Sequence, residues 1–303
     1  MKKICFFILL IMQLVPTWCG AQTMVTTKTS SAIKSVKFTS FPDYAPISYI
    51  VADNRGNEYL RTVFSEPLQI FAKLGNFKPE YILMKNYDDA VSMVRRGEID
   101  VLTGIYYGTK QYDGLEYIYP AVINNPVNVI MMPQNVAKVK NTEDLKALKG
   151  VYSSDEYFSD YMLKNFESFN IKPAKNTLSA YSQLFTGEVD YIVGAYYYNY
   201  VKACELGLKN YVSFSQTAMW NMPMFLGVSK TSPDYKRISA LLKKTVAQPD
   251  FALKLNNALK AEVKSIELKS QGVVPPEFVR KSTDADVTPA DEEANNLLGY
   301  KGE

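Results

Sequence analysis

The chain is 303 residues long, carries 34 Lys and Arg against 31 Asp and Glu, and has no histidine and three cysteines. The lack of histidine excludes Ser-His-Asp and Cys-His catalysis, and with so few thiols it effectively excludes zinc sites built on imidazole or thiolate. A formal charge of +3 is far from the basic stripe of a nucleic-acid binder, so no nucleic acid is expected as a partner.

In chain order, Met1, Lys2 and Lys3 lead into "ICFFILLIMQLVP", an apolar stretch too short for a comfortable membrane span, and then into the small-residue exit Cys19-Gly20-Ala21. The pattern predicts a secretory signal over residues 1–21 and so a periplasmic protein. Its removal takes away Lys2 and Lys3, leaving a charge of 3 − 2 = +1, and leaves Cys204 as the one thiol, which cannot form an internal disulfide. Residues 22–35 are Thr/Ser-rich and read as a flexible leader. In "NYDDAVSMVRRGE", Ala90, Val91 and Val94 fall at helical spacing, Arg95 and Arg96 sit in the last turn, and Gly97 ends the helix. "IDVLTGI" follows as a short apolar run of the kind that makes a buried parallel strand. Farther on, "LSAYSQLFTGE" is again helix-like with Gly187 as its stop, and "VDYIVGA" is again a strand. The final stretch, "KSTDADVTPADEEANNLLGYKGE", has hardly an apolar face and reads as a solvated tail.

The two helix-Gly-strand units are nearly the same phrase. "GEIDVLTGIYY" runs from Gly97 to Tyr107 and "GEVDYIVGAYY" from Gly187 to Tyr197, an offset of 187 − 97 = 90 residues. Two α/β lobes built on one plan explain the duplication, with Asp100 and Asp190 starting their strands. In open α/β sheets ligands bind outside the carboxyl ends of the strands, which places a site around Gly104 to Tyr107 and Gly194 to Tyr197, facing one shared cleft.

With these units in place, the chain from about residue 36 to 262 resembles the bacterial extracellular solute-binding proteins of the polar-amino-acid type, the receptors of ABC importers. "VKFTSFPDYAPISYIVADNRG" is similar to the family's first strand, its ligand-stacking aromatic and its hairpin. "FSEPLQIFAKLG" looks like its first helix, and "GEIDVLTGIYYGTKQYDGLEYIYPAV" follows its Gly-x-[IV]-Asp strand, threonine turn and crossing into the second lobe. "NTEDLKALKGVYSSDEYFSDYM" resembles the Asp-Leu-Lys-Gly segment and the Ser/Thr turn at a helix start, and "FLGVSKTSPDYKRISALLKKTV" the return into the first lobe. The resemblance implies an α/β, two-lobed periplasmic-binding-protein-like fold, each lobe a mostly parallel sheet flanked by helices. Residues 36–122 and 217–265 would form lobe one, 123–216 lobe two, and 266–303 a largely disordered extension, with the hinge near Ala121 to Pro126 and Tyr211 to Trp220. It further implies a monomer that binds a small-molecule solute, needs no cofactor and presents the solute to a membrane permease.

The family's amino-acid clamp is not matched. Laid over this chain without gaps, its carboxylate-binding arginine falls on Tyr112 and its ammonium-binding aspartate on Ala195, which removes the strongest charge-assisted bonds of that site. The resemblance places Tyr44 in the stacking position, Tyr106, Tyr107, Thr109 and Lys110 after the lobe-one strand, Tyr196 and Tyr197 after the lobe-two strand, and Trp220 near the return crossing. Such a lining favours a flat or apolar ligand, or a cation held over ring faces. Lys110 offers a point charge where the arginine fork is lost. Ser153 and Ser154, with Asp155, precede "EYFSDYMLKNF", where either serine is placed to cap the helix and free N–H groups to take an anionic oxygen, which Asp155 would oppose. Two other readings stay open: a sensor or protein-partner module that has lost the amino-acid site, and a cyclohexadienyl-dehydratase-like enzyme using a cleft carboxylate such as Asp88, Asp113 or Asp155.

Overall fold

The computed structural model describes residues 35–76, 78–108 and 112–279. The expected signal over 1–21 and the leader up to residue 34 lie outside the described residues, as do Thr109 and Lys110. No helix among the described residues is long and apolar enough to cross a membrane.

The first lobe is laid down by β1 (Ser35–Thr39), the hairpin β2 (Asp43–Tyr44), β3 (Ser48–Ala52) and β4 (Glu58–Thr62), then α1 (Leu68–Gly75), β5 (Lys78–Tyr81), α2 (Tyr87–Arg95) and β6 (Val101–Tyr106). β7 (Leu115–Met131) carries the chain into the second lobe, made of β8 (Gly150–Ser153), α3 (Asp160–Ser168), β9 (Lys172–Ala174), α4 (Thr177–Phe185), β10 (Tyr191–Ala195) and α5 (Tyr196–Glu205). β11 (Ser213–Phe214) and β12 (Trp220–Ser229) bring it back, and α6 (Tyr235–Val246) and α7 (Pro249–Lys269) follow.

Nine strands form one sheet in the order β5-β1-β6-β12-β7-β10-β8-β9, with β11 beside β7, and β2, β3 and β4 form a separate three-stranded antiparallel sheet. β5, β1 and β6 run parallel, and so do β10, β8 and β9, which are the two lobes expected from the sequence. Between them stand the antiparallel crossings: β7 pairs with β12 over most of its length and then with β10. At 17 residues β7 is too long for one lobe, so the two parallel sheets are joined edge to edge through it. The register breaks between Met224 and Leu226, which pair with Ile123 and Ile118 of β7.

The repeated phrase does the same job in both lobes. Asn86 caps α2 and Asn176 caps α4 through their side-chain oxygens. Each helix ends before a glycine in the left-handed region, Gly97 at φ 77° and Gly187 at φ 72°. Asp100 then accepts the Lys37 N–H at 2.9 Å while its own N–H donates to the Lys37 carbonyl. Asp190 makes the identical pair of bonds with Lys149. Each aspartate therefore ties the start of its strand to the neighbouring strand.

One boundary is corrected. α7 continues past residue 265 because its apolar stripe, Leu255, Leu259 and Ile266, continues, with Ile266 buried against Ala45 and Val201. Val279 is buried in the second lobe among Val151, Leu184 and Val189, and Phe278 contacts the Phe185 ring. Residues 266–279 are thus folded rather than part of a disordered extension, and residues 280–303 lie outside the described residues.

Candidate functional site

The carboxyl ends of β6 and β10 face each other across the lobe boundary, and aromatic rings fill the space between them. Tyr44 is fully buried; its hydroxyl bonds that of Tyr106 at 2.8 Å, and Asn125 on β7 donates its amide to both. From the other lobe Tyr198 stacks on Tyr44, with ring centroids 5.1 Å apart and planes within 19°. Phe41 stacks on Tyr87 at 4.0 Å, and Tyr157 of the second lobe sets its ring against both. Tyr112, at the arginine's expected place, is buried and hydrogen-bonds the Tyr87 hydroxyl at 2.6 Å. Burial raises the hydroxyl pKa of Tyr44, Tyr87, Tyr106 and Tyr198 well above the usual range, so these groups act as neutral hydrogen-bonding partners.

Next to these rings a cleft of about 670 Å³ opens between the lobes. One wall carries Phe41, Asp43, Tyr87 and Asp88; the other carries Asp155, Tyr157, Thr177, Tyr198, Lys202 and Glu205. Lys202 is held by Glu205 at 3.1 Å and faces the Tyr198 ring. A smaller, mostly apolar cavity of about 350 Å³ lies on the other side of Tyr106, between Tyr107 and Gly108 of the first lobe and Tyr161 and Met162 of the second.

Tyr44 and Tyr106 lie at the lobe boundary, and Tyr112 stays within the first lobe, bonded to Tyr87. Tyr107 also stays between the lobes, and three other placements are corrected. Tyr107 is 58% exposed and packs on Tyr117 and Phe225, lining the apolar cavity. Tyr196 turns away from the cleft onto Phe214 and Tyr200, because the strand becomes a helix at that residue and the side chains step by about 100° each, which brings Tyr198 to the boundary instead. Trp220 packs on Phe166 and Phe169 outside the cleft. Ser153 and Ser154 do not cap α3, whose N-cap is Ser159. Ser153 bonds the Thr177 hydroxyl at 2.9 Å, Ser154 donates to the Ala174 carbonyl, and Asp155 accepts the Thr177 N–H at 2.9 Å. The Ser-Ser-Asp turn is therefore tied to the start of α4, and its serines are occupied within the chain.

Ala195 carries the site's unforeseen feature. Its N–H donates to a carboxylate oxygen of Glu156 at 2.6 Å, and the other oxygen accepts the Asn199 amide at 2.7 Å. Glu156 is 6% exposed, and burial pushes its carboxyl up to about 8 against the pull of those two donors. No sequence signal marked Glu156: it lies 39 residues from Ala195 and in the middle of a polar turn.

Two comparisons by sequence return nothing: no family model matches the chain, and no curated protein does. Solved structures do match. The amino acid ABC transporter substrate-binding protein AbpA from Streptococcus pneumoniae, bound to L-arginine, is 14% identical at a TM-score of 0.56, over 77% of this chain and 95% of that one. A histidine kinase sensor domain with similarity to periplasmic binding proteins is 18% identical at 0.53, over 80% of this chain and 98% of that one. The ancestral amino acid-binding protein AncCDT-1, a precursor of cyclohexadienyl dehydratase, is 15% identical at 0.53, over 76% and 95%. At these identities the likeness establishes the fold, the two-lobed periplasmic-binding-protein architecture.

Proposed function

We propose that the chain is a periplasmic solute-binding receptor of an ABC importer, a monomer that binds a small solute between its lobes and hands it to a membrane permease. The cleft of about 670 Å³, walled by aromatic rings and carboxylates from both lobes, carries this reading. Its support comes from the fold shared with a substrate-binding protein of an importer, and from rings that meet across the boundary without a covalent link, so that hinge motion can part them. Binding rather than catalysis fits the cleft acids: Asp155 is engaged by the Thr177 N–H, and Asp88 stands in the first turn of α2, where its charge favours the helix dipole.

A thermal-shift screen of residues 22–303 against amino acids, aromatic acids, amines and sugars tests the proposal. A ligand that binds the native state raises the melting temperature. Small-angle scattering with and without the hit then reads lobe closure. Silence across such a panel overturns the receptor reading and favours the sensor or partner module, to which the solved kinase sensor domain gives a structural parallel.

A further inference from the structure

Glu156 is a buried carboxyl for which the fold has made special provision. At Gly194 a side chain would displace its neighbours: a Cβ there would lie 2.6 Å from a Glu156 carboxylate oxygen and 2.1 Å from the Asn199 amide nitrogen. The second lobe has thus given up a side chain on β10 to seat this group. The amide of Asn199 and the N–H of Ala195, at the start of α5, hold its two oxygens in place.

Among the described residues no side chain supplies a countercharge. None of the ion pairs among the described residues includes Glu156. The titratable groups that feel its charge are the hydroxyls of Tyr44 and Tyr106 in the first lobe and of Tyr181 and Tyr198 in the second, all of them neutral near physiological pH. A carboxyl buried without a cation is an expense to stability, and packed hydrophobic groups would be no worse there. The rings beside it explain the expense. Tyr44 and Tyr198 come from opposite lobes and stack on each other, so hinge opening separates them and uncovers two ring faces, and both hydroxyls feel the Glu156 charge. Ring faces and a desolvated carboxylate together recognise a cation, above all a flat one.

We propose that Glu156 is the cation-binding residue of this chain, pairing with the protonated amine or guanidinium of a solute held between Tyr44 and Tyr198. This rests on the receptor reading above. The carboxylate that position 195 lacks is in this way supplied from the turn after β8. With its carboxyl buried as it is here, the group is mostly protonated at neutral pH. Pairing with a cation ionises it, the proton leaving to solvent as the ion pair forms, so binding at pH 7 releases about one proton and binding above pH 9 releases almost none.

The test uses agmatine, putrescine and arginine, with glutarate and glucose as controls without a cationic group, titrated calorimetrically into the whole mature chain. Buffers of different ionisation enthalpy count the protons. The expected result is binding of at least one of the three cations, proton release at pH 7 that vanishes above pH 9, and a ten- to hundredfold loss of affinity in Glu156→Gln. Agmatine binding as tightly as arginine adds that no carboxylate clamp is used. Undiminished cation binding by Glu156→Gln with an unchanged melting temperature overturns the assignment. So does cation binding by the wild type without proton release at pH 7, a result that needs no variant to fold. Binding confined to glutarate or glucose overturns it too, while leaving the receptor reading in place. If no solute in the wider thermal-shift panel binds, both fall together.

Discussion

Glu156→Gln should make the protein more stable at alkaline pH than the wild type. In the folded chain the carboxyl is pushed from 4.5 to about 8 by burial, a difference of 8 − 4.5 = 3.5 units. At about 1.4 kcal/mol per unit this is a linkage of about 5 kcal/mol. The folded state binds the proton more tightly than the unfolded one, so the contribution is fully present below pH 4.5 and is lost as pH rises through 8. A glutamine keeps an oxygen for the Ala195 N–H and has no charge to bury. Urea denaturation of both proteins from pH 5 to pH 9 measures the difference, in which the titration of all other groups cancels. The expected gap between variant and wild type widens with pH by about 3 to 5 kcal/mol. Parallel stability curves across that range would show that Glu156 is solvated in the native protein, and the argument for a buried, cation-seeking carboxyl would go with it.

Three further outcomes follow from the packing. Gly194→Ala drives a methyl group into Asn199 and Glu156 and should lower stability by about 1–3 kcal/mol, read as a drop in melting temperature; an unchanged midpoint would mean that the turn after β8 yields freely. Tyr198→Ala removes the ring that closes on Tyr44, and scattering from the empty protein should show a larger radius of gyration, whereas an identical profile would place the closing force elsewhere. Val279→Asp puts a carboxylate into the second lobe's core and should destabilise the protein by about 3 kcal/mol in denaturant, against essentially no effect if residues 266–279 were a loose extension.

The local plan and its duplication are legible along the chain. Helix periodicity, the glycine stops at 97 and 187 and the apolar runs of β6 and β10 depend on residues a few positions apart, so they could be read along the chain. Asp100 and Asp190 were legible for the same reason: each starts a strand, and the repetition exposed it. Tyr106 was legible from its place at the end of the β6 run, whereas Tyr44 and Tyr112 were expected only from the resemblance to solute-binding proteins. Only the tertiary structure decided which side chains meet across the lobes. Tyr196 and Tyr198 are indistinguishable until it is known that the strand turns into a helix between Ala195 and Tyr196, which rotates one ring out and the other in. Glu156 was hidden more deeply, because its environment is made by residues distant in sequence: Ala195 and Asn199 hold it, and Gly194 makes room for it. Burial and the pKa that follows from it are properties of packing, and no pattern along one strand of sequence encodes them.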